Sequence, residues 1–168
     1  MWPFRRKPAR PVDPWSAGAR LLSQGRYEAA LAAMEEAMTQ EPSRLDGRLN
    51  LGVVLYMLKR YPEAVPHFRY VLAIDPNHLM ALLNLGACYD GMGEFDGSIQ
   101  CLEKLCSSRP NFPDAHYNLA VAYLKQKRIE EAENALRAEL RLQPGNELAR
   151  KTLSEIYVKY PRIEKPQS

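Results

Sequence analysis

A 34-residue period is the feature that most constrains how this chain can fold. When the sequence is shifted by 34 residues, five columns keep one type of residue across four copies. The columns are Pro42, Pro76, Pro110 and Pro144; Gly18, Gly52, Gly86 and Ala120; Leu21, Leu55, Tyr89 and Tyr123; Tyr27, Tyr61, Phe95 and Ile129; and Ala30, Ala64, Ser98 and Ala132. A fixed period of this length is typical of stacked structural repeats. The sequence therefore predicts an array of four similar units.

The unit at residues 45–76 shows what each copy contains. Apolar residues in both of its halves are spaced by three and four, as they are on one face of a helix. They are Leu51, Leu55 and Leu58 in the first half and Ala64, Phe68 and Val71 in the second. Pro62 suits the first position of a new helix, and Pro76 cannot continue that helix. The pattern predicts a helix, a turn and a second helix.

These columns resemble those of the tetratricopeptide repeat family, whose 34-residue unit is a helix–turn–helix hairpin. The resemblance covers residues 11–159. It implies an all-α fold, an α-solenoid of four hairpins followed by a capping helix with a polar outer side. The expected segments are a basic, proline-rich flexible arm at 1–12, repeats at 13–42, 45–76, 79–110 and 113–144, the capping helix at 145–160 and a tail at 161–168.

Several residues carry local predictions. Asp13 is expected to cap the first helix, with Pro14 at its first position. Pro66 lies one turn inside a helix, where we expect a slight bend and no break. Gly86 falls in the small-residue column, so close packing of two helices should offset its helix-destabilising effect. Glu139 replaces the apolar residue of the other repeats, which predicts a less buried second helix in repeat four.

Composition narrows the class of protein. No run approaches the roughly 18 consecutive apolar residues of a membrane span, and the amino terminus lacks the apolar segment of a signal peptide, so we expect a cytoplasmic protein. Cys88, Cys101 and Cys106 are odd in number and have no histidine at zinc-finger spacing. Buried free thiols are predicted, without a metal or a cofactor.

The basic charge is concentrated in the arm. Residues 1–12 hold Arg5, Arg6, Lys7 and Arg10 and no acid, so the remainder of a chain of net charge +3 carries −1. Four cations attract anionic lipid at about 1 kcal/mol each, which is too little for firm anchoring.

No constellation of catalytic residues stands out. His67, His78 and His116 fall at helix or turn positions where a structural role is expected. The acid pair Glu35–Glu36 occupies adjacent helix positions, which point in different directions. We therefore predict no enzyme and no small-molecule substrate.

The family resemblance also implies a binding surface, because the first helix of each hairpin lines a concave groove in that family. The columns that face the groove hold Trp15, Leu49, Asn50, Val53, Tyr56, Met57, Met80, Leu83, Asn84, Ala87, Tyr117, Asn118, Val121 and Lys125. This surface is apolar with a few polar points, which suits a partner segment that offers apolar side chains. The asparagines recur every 34 residues. Their amides would either pair with the backbone of a bound peptide or tie neighbouring helices together.

The sequence thus predicts a non-catalytic scaffold that binds an extended or helical peptide segment of another protein. Other classes stay open. The arm would make the chain an adaptor to a membrane surface or, less favoured, to nucleic acid. Self-assembly would place Trp2 and Phe4 of one copy in the groove of another. The architecture also resembles repeat-containing bacterial secretion chaperones. Recognition of chaperone carboxyl termini is disfavoured, because only Asn50 matches the residues that family members use for it.

Overall fold

The computed structural model describes residues 13–161, and this part of the chain is made of nine α-helices with no strand. The helices are α1 Pro14–Ser23, α2 Tyr27–Gln40, α3 Leu45–Met57, α4 Tyr61–Ile74, α5 Leu79–Met92, α6 Phe95–Ser108, α7 Ala115–Lys125, α8 Ile129–Leu142 and α9 Glu147–Lys159. The prediction of an all-α fold is confirmed.

The helices pack in the order in which they follow one another. The hairpins are α1–α2, α3–α4, α5–α6 and α7–α8, and the second helix of each hairpin also packs against the first helix of the next. The odd-numbered helices form a layer of their own, since α1 contacts α3 and α3 contacts α5. Contacts that run mainly between neighbours are typical of a solenoid. The predicted α-solenoid architecture, with α9 as a further helix after four hairpins, is confirmed.

The turn inside each hairpin has the same backbone conformation in all four repeats. One residue takes a positive φ, which is 71° at Gly25, 59° at Lys59, 77° at Gly93 and 58° at Lys127. The N–H of the next residue then donates to the carbonyl oxygen five residues earlier, at 2.8–3.0 Å. Glycine takes this conformation without strain, whereas lysine does so at a cost of about 1–2 kcal/mol. The turn geometry is therefore imposed by the packing of the two helices.

Helix ends follow from the caps and prolines of the sequence. The Asp13 carboxylate accepts from the backbone N–H of Trp15 at 3.2 Å, which confirms the predicted cap of α1. His78 Nδ1 and Asn146 Oδ1 cap α5 and α9 in the same way. Each second helix ends two residues before a proline, because the residue directly before the proline is pushed out of the helical region. Helix α4 runs unbroken through Pro66, as expected.

The core lies between the two layers of helices, and glycines mark the points where the layers approach each other. A Cβ atom added at Gly52 would lie 2.8 Å from the ring of Phe68. The same addition at Gly86 would meet the Cβ of Cys101 at 3.4 Å, an ordinary contact. Close approach therefore explains Gly52, but it does not require a glycine at position 86. The three cysteines are buried free thiols, as predicted.

The prediction for Glu139 is wrong. Its side chain is fully buried, with 0% exposure, although the sequence suggested a less buried helix. Three donors satisfy the carboxylate, which is what allows a polar group to stay inside a protein.

Two further predictions concern the ends of the chain and membranes. Residues 1–12 and 162–168 lie outside the described residues, so the predictions for the arm and for most of the tail stay predictions. Among residues 13–161, every helix is too short or too polar to cross a bilayer.

Candidate binding groove

A pocket of about 180 Å³ opens between α5 and α7, with α6 beneath it. Most of its lining is apolar, and its polar groups stand at the sides. The lining residues are Leu83, Gly86, Ala87 and Asp90 from α5, Ser98 and Leu102 from α6, and Asn118, Val121, Ala122 and Lys125 from α7. Each helix contributes residues spaced by three or four, because those positions share one face. The pocket therefore follows directly from the packing of two consecutive first helices.

Five of the residues chosen from the sequence meet in this pocket: Leu83, Ala87, Asn118, Val121 and Lys125. They come from two consecutive repeats, and 31–42 positions separate the residues of α5 from those of α7. The floor residues were missed, since the groove columns were taken only from the first helix of each hairpin. Ser98 lies in one of the five repeat columns, so its column alone could have placed it beside the pocket.

An ion pair spans the mouth of the pocket. Lys125 Nζ donates to both carboxylate oxygens of Asp90, at 2.5 and 2.6 Å, and lies 5.6 Å from the centre of the Phe95 ring. Beside it, Gln126 Nε2 donates to Asp96 Oδ1 at 2.7 Å. These contacts join the end of α7 to the turn of the preceding hairpin. Asp90 was not predicted, although its separation of 35 residues from a lysine on the next first helix was a usable signal.

The remaining predicted residues differ in exposure. Met57 and Met80 are exposed, at 44% and 45%. Two clusters of buried residues form the core, one running from Trp15 to Cys101 and the other from Leu82 to Ile156. Half-buried Leu49, Val53 and Tyr56 pack against the first cluster, and half-buried Tyr117 packs against the second. Burial raises the pKa of Tyr56, and the neighbouring Tyr61, Cys88 and Asp90 add to this effect, so its hydroxyl stays protonated. These side chains show partly exposed apolar surface on three of the odd-numbered helices.

Trp15 is the exception, and its assignment to the groove is corrected. Its indole is 4% exposed and belongs to the core. The ring lies so close to Gly47 that a Cβ atom there would be 2.7 Å away. The first helix starts at Pro14, so Trp15 lies in its first turn, where the ring packs on the start of α3. It leaves no surface for a ligand.

The three asparagines of the repeat column do not act alike. Asn84 Nδ2 donates to the carbonyl of Met80, one turn earlier in the same helix, at 2.7 Å. This bond does not tie neighbouring helices together, and it occupies a donor that the amide would otherwise offer to a bound peptide. Asn118 is exposed at the side of the pocket, and Asn50 is half-buried. Among the asparagines, the amide of Asn118 is the one best placed to meet a ligand in the pocket.

The cysteine and histidine side chains of the described chain lie in environments that lower their reactivity. Burial raises the pKa of each of Cys88, Cys101 and Cys106 to about 11, so these thiols stay protonated and weakly nucleophilic. His78 caps α5, and His116 Nε2 lies 3.1 Å from the carbonyl of Pro110. Residues 13–161 contain no group of three histidine, cysteine or acidic side chains suited to a metal ion. The pocket between α5 and α7 can therefore hold a ligand through apolar contacts and hydrogen bonds.

Solved structures with this architecture were found. A MamA structure from Desulfovibrio magneticus RS-1 is 25% identical, covers 90% of this chain and 87% of its own, and superposes with a TM-score of 0.80. YrrB, described as a TPR protein with an unusual peptide-binding site, is 24% identical, with 84% and 73% of the two chains covered and a TM-score of 0.78. A further MamA crystal structure is 19% identical, covers 84% and 83%, and has a TM-score of 0.79.

Family models match most of the chain, whereas none of the curated protein sequences matches it. Models described as tetratricopeptide repeat match residues 17–78, 55–106 and 113–146, and one described as TPR repeat matches residues 91–127. Together they span residues 17–146 without a gap, over the same hairpins that the structure shows. The chain belongs to the tetratricopeptide repeat family.

Proposed function

We propose that this chain is a non-catalytic scaffold that binds an extended or helical segment of a partner protein along its odd-numbered helices. The observation that carries the proposal is the pocket between α5 and α7, which is lined mostly by apolar residues and has polar groups at its sides. Binding sites commonly combine apolar walls with a few placed polar groups. A groove of this kind accepts apolar anchor residues of a peptide.

The size of the pocket limits what its anchor residue can be. An apolar cavity of about 150 Å³ is large enough to hold benzene. The pocket here has a volume of about 180 Å³, so one leucine side chain or one aromatic ring fits it. The anchor side chain would contact Leu83, Leu102 and Val121. Burying such a side chain favours binding by about 1.5–3 kcal/mol.

Polar groups at the sides would fix the direction of the segment. The Asn118 amide both donates and accepts, so it can pair with the backbone of a bound peptide. At the other side, Asp90 and Lys125 already satisfy each other. A charged residue of the partner would have to compete with that pair, so we expect the anchor to be flanked by uncharged residues on this side.

Exposed methionines widen the range of segments that the surface accepts. Met57 and Met80 are flexible and polarisable, and such side chains adapt to partners of different shape. The likeness to YrrB supports a peptide ligand only through the shared fold. The alternatives that depend on residues 1–12, namely a membrane or nucleic-acid adaptor and self-assembly through Trp2 and Phe4, lie outside the described residues.

The test uses peptides selected by the protein itself. A library of random twelve-residue peptides displayed on phage is panned against the full chain, and a selected peptide is titrated by fluorescence anisotropy. Ala87→Glu places a carboxylate at the pocket wall, and Ala73→Glu makes the same change at an exposed position of α4. We expect Ala87→Glu to weaken binding by about tenfold or more, because an unpaired charge would have to be buried with the ligand.

The matched control decides the outcome. Ala73→Glu should bind the peptide as the unchanged chain does. The proposal is wrong if panning yields no binder, or if both variants keep the original affinity.

A further inference from the structure

Helix α7 begins differently from the other first helices. In α3, α5 and α9 the residue just before the helix has extended backbone angles. The side chains of His78 and Asn146 cap α5 and α9, whereas that of Arg44 makes no cap bond to α3. The equivalent residue before α7 is Phe112, which packs against the core and has no polar atom in its side chain. The helix starts only at Ala115, and its cap residue, with φ 60°, makes no side-chain cap bond.

A carboxylate from another helix takes over the capping contact. Glu139 Oε2, from α8, accepts from the backbone N–H of Tyr117 at 3.3 Å. Tyr117 is the third residue of α7, and the N–H at that position is one that a cap side chain normally satisfies. In the other repeats the position of Glu139 holds Ala37, Val71 and Leu105, which are all buried and apolar.

The same carboxylate reaches the start of α9. Its Oε1 accepts from Gln143 Nε2 at 2.8 Å and from Asn146 Nδ2 at 3.1 Å. Asn146 in turn caps α9 through the N–H of Ala149 and donates to Asp114 Oδ1 at 3.1 Å. One buried group therefore joins the first turns of two consecutive first helices.

We infer that Glu139 is a positioning residue for the binding groove. It supplies the cap that Phe112 cannot supply, and so holds the first turn of α7 in place. Tyr117 and Asn118 lie in that turn, and Asn118 lines the pocket between α5 and α7. The effect on ligand binding rests on the proposed function, whereas the effect on the helix does not.

The first test measures the amide hydrogen exchange of Tyr117 by NMR, relative to the core amide of Phe68 in α4. Glu139→Leu introduces the residue that repeat three carries at this position. Glu133→Leu is the matched control, since Glu133 is also a buried acid of α8 but pairs with Arg137 and Tyr157. Glu139→Gln keeps one oxygen that can accept from Tyr117, but its amide NH2 then faces the donors of Gln143 and Asn146.

We expect Tyr117 to exchange about tenfold faster in Glu139→Leu, as the loss of one hydrogen bond implies, and at nearly the original rate in Glu133→Leu. The rate in Glu139→Gln should lie between the two, because its amide offers one acceptor oxygen where the carboxylate offers two. An unchanged rate in Glu139→Leu would overturn the inference. So would an equal increase in Glu133→Leu, because it would show a general loosening of α8.

The second test measures the affinity of the phage-selected peptide per folded molecule. Glu139→Leu should weaken it about threefold or more, and Glu139→Gln should weaken it less than Glu139→Leu does. Faster exchange with unchanged affinity would overturn the role of Glu139 in the groove and leave the proposed function standing. If Ala87→Glu also binds normally, the proposed function fails, and the exchange rate of Tyr117 still decides whether Glu139 holds α7.

Discussion

Gly52 and Gly86 occupy the same position in consecutive repeats, yet an added methyl group would meet different neighbours at the two sites. At Gly52 it would lie 2.8–2.9 Å from two ring atoms of Phe68, whose side chain is fully buried. A rigid ring in a packed core has no room to move aside. At Gly86 the nearest atom is 3.4 Å away, so a methyl group fits.

Alanine should therefore have opposite effects at these two positions. We predict that Gly52→Ala lowers the free energy of unfolding by about 1–3 kcal/mol, the usual range for overpacking. Gly86→Ala should leave it unchanged or raise it by up to about 1 kcal/mol, because alanine is the better helix former. Urea denaturation of both variants checks this, and equal destabilisation would show that the second site is as crowded as the first.

His67 gives the fold a dependence on pH. Burial, together with the positive charge of Arg48, lowers the pKa of its imidazole below the usual 6.5. As the pH falls below about 6.5, the unfolded chain takes up this proton before the folded protein does. The free energy of unfolding then decreases with falling pH. The stability that neutral His67 contributes is complete above that pH and is lost below it.

We predict that His67→Gln makes stability less sensitive to acid. Between pH 7 and pH 5 the free energy of unfolding should fall less in this variant than in the original chain, because glutamine does not titrate. Thermal unfolding across that range measures the difference. Parallel pH profiles would show that His67 titrates normally in the folded state.

Single residues also show which features of the structure the repeat columns predicted and which they did not. The repeat columns predicted the layer of first helices and five residues of the pocket. They failed for Trp15, since a column predicts a direction but not whether a large ring will find a neighbour such as Gly47 to cover it. They failed for Glu139 because its donors lie on α7 and in the turn between α8 and α9, which the repeat columns do not bring together. Asn84 bonds within its own helix, a choice that the repeat spacing does not determine.

At the scale of single elements, α9 shows how the array is closed. Its Ala149 and Ile156 are buried against α8, and Tyr157 donates its hydroxyl to the buried Glu133 at 2.9 Å. The residue that takes a positive φ in each hairpin turn corresponds, one repeat later, to Pro161. Proline cannot adopt that conformation. The hairpin turn of the other repeats is therefore not available after α9.

Removing α9 should cost much of the stability of the fold. Deletion of residues 146–168 exposes the apolar face of α8 and leaves Glu133 without Tyr157. We expect a loss of several kcal/mol, since a few hundred Å² of apolar surface at about 25 cal/mol per Å² amounts to that. Calorimetry of this truncation, with deletion of residues 162–168 as the control, measures the loss. A cooperative transition at the original temperature would mean that α9 does not cap the core.

At the scale of the whole molecule, the repeat architecture explains why one surface is available for binding. Each hairpin buries one face of both helices against its neighbours, and the first helices leave a second, partly apolar face exposed. Among the exposed large hydrophobic residues of the described chain, Met57 and Met80 lie on first helices and Leu148 and Val158 on α9. The other two, Ile74 and Leu142, are the last residues of second helices. The family fold was predictable from the 34-residue period. The pocket was predictable only in part, because its floor and its ion pair arise from contacts between repeats.

The claim that a partner segment binds at the pocket between α5 and α7 is tested most directly by NMR mapping. The phage-selected peptide is titrated into the labelled full chain, and backbone amide shifts are followed for every helix. We predict the largest shifts at Ala87, Asn118 and Val121, and small shifts in the even-numbered helices away from the pocket floor. The largest shifts in α2 or α4, or in residues 1–12, with none in α5 and α7 would contradict the account.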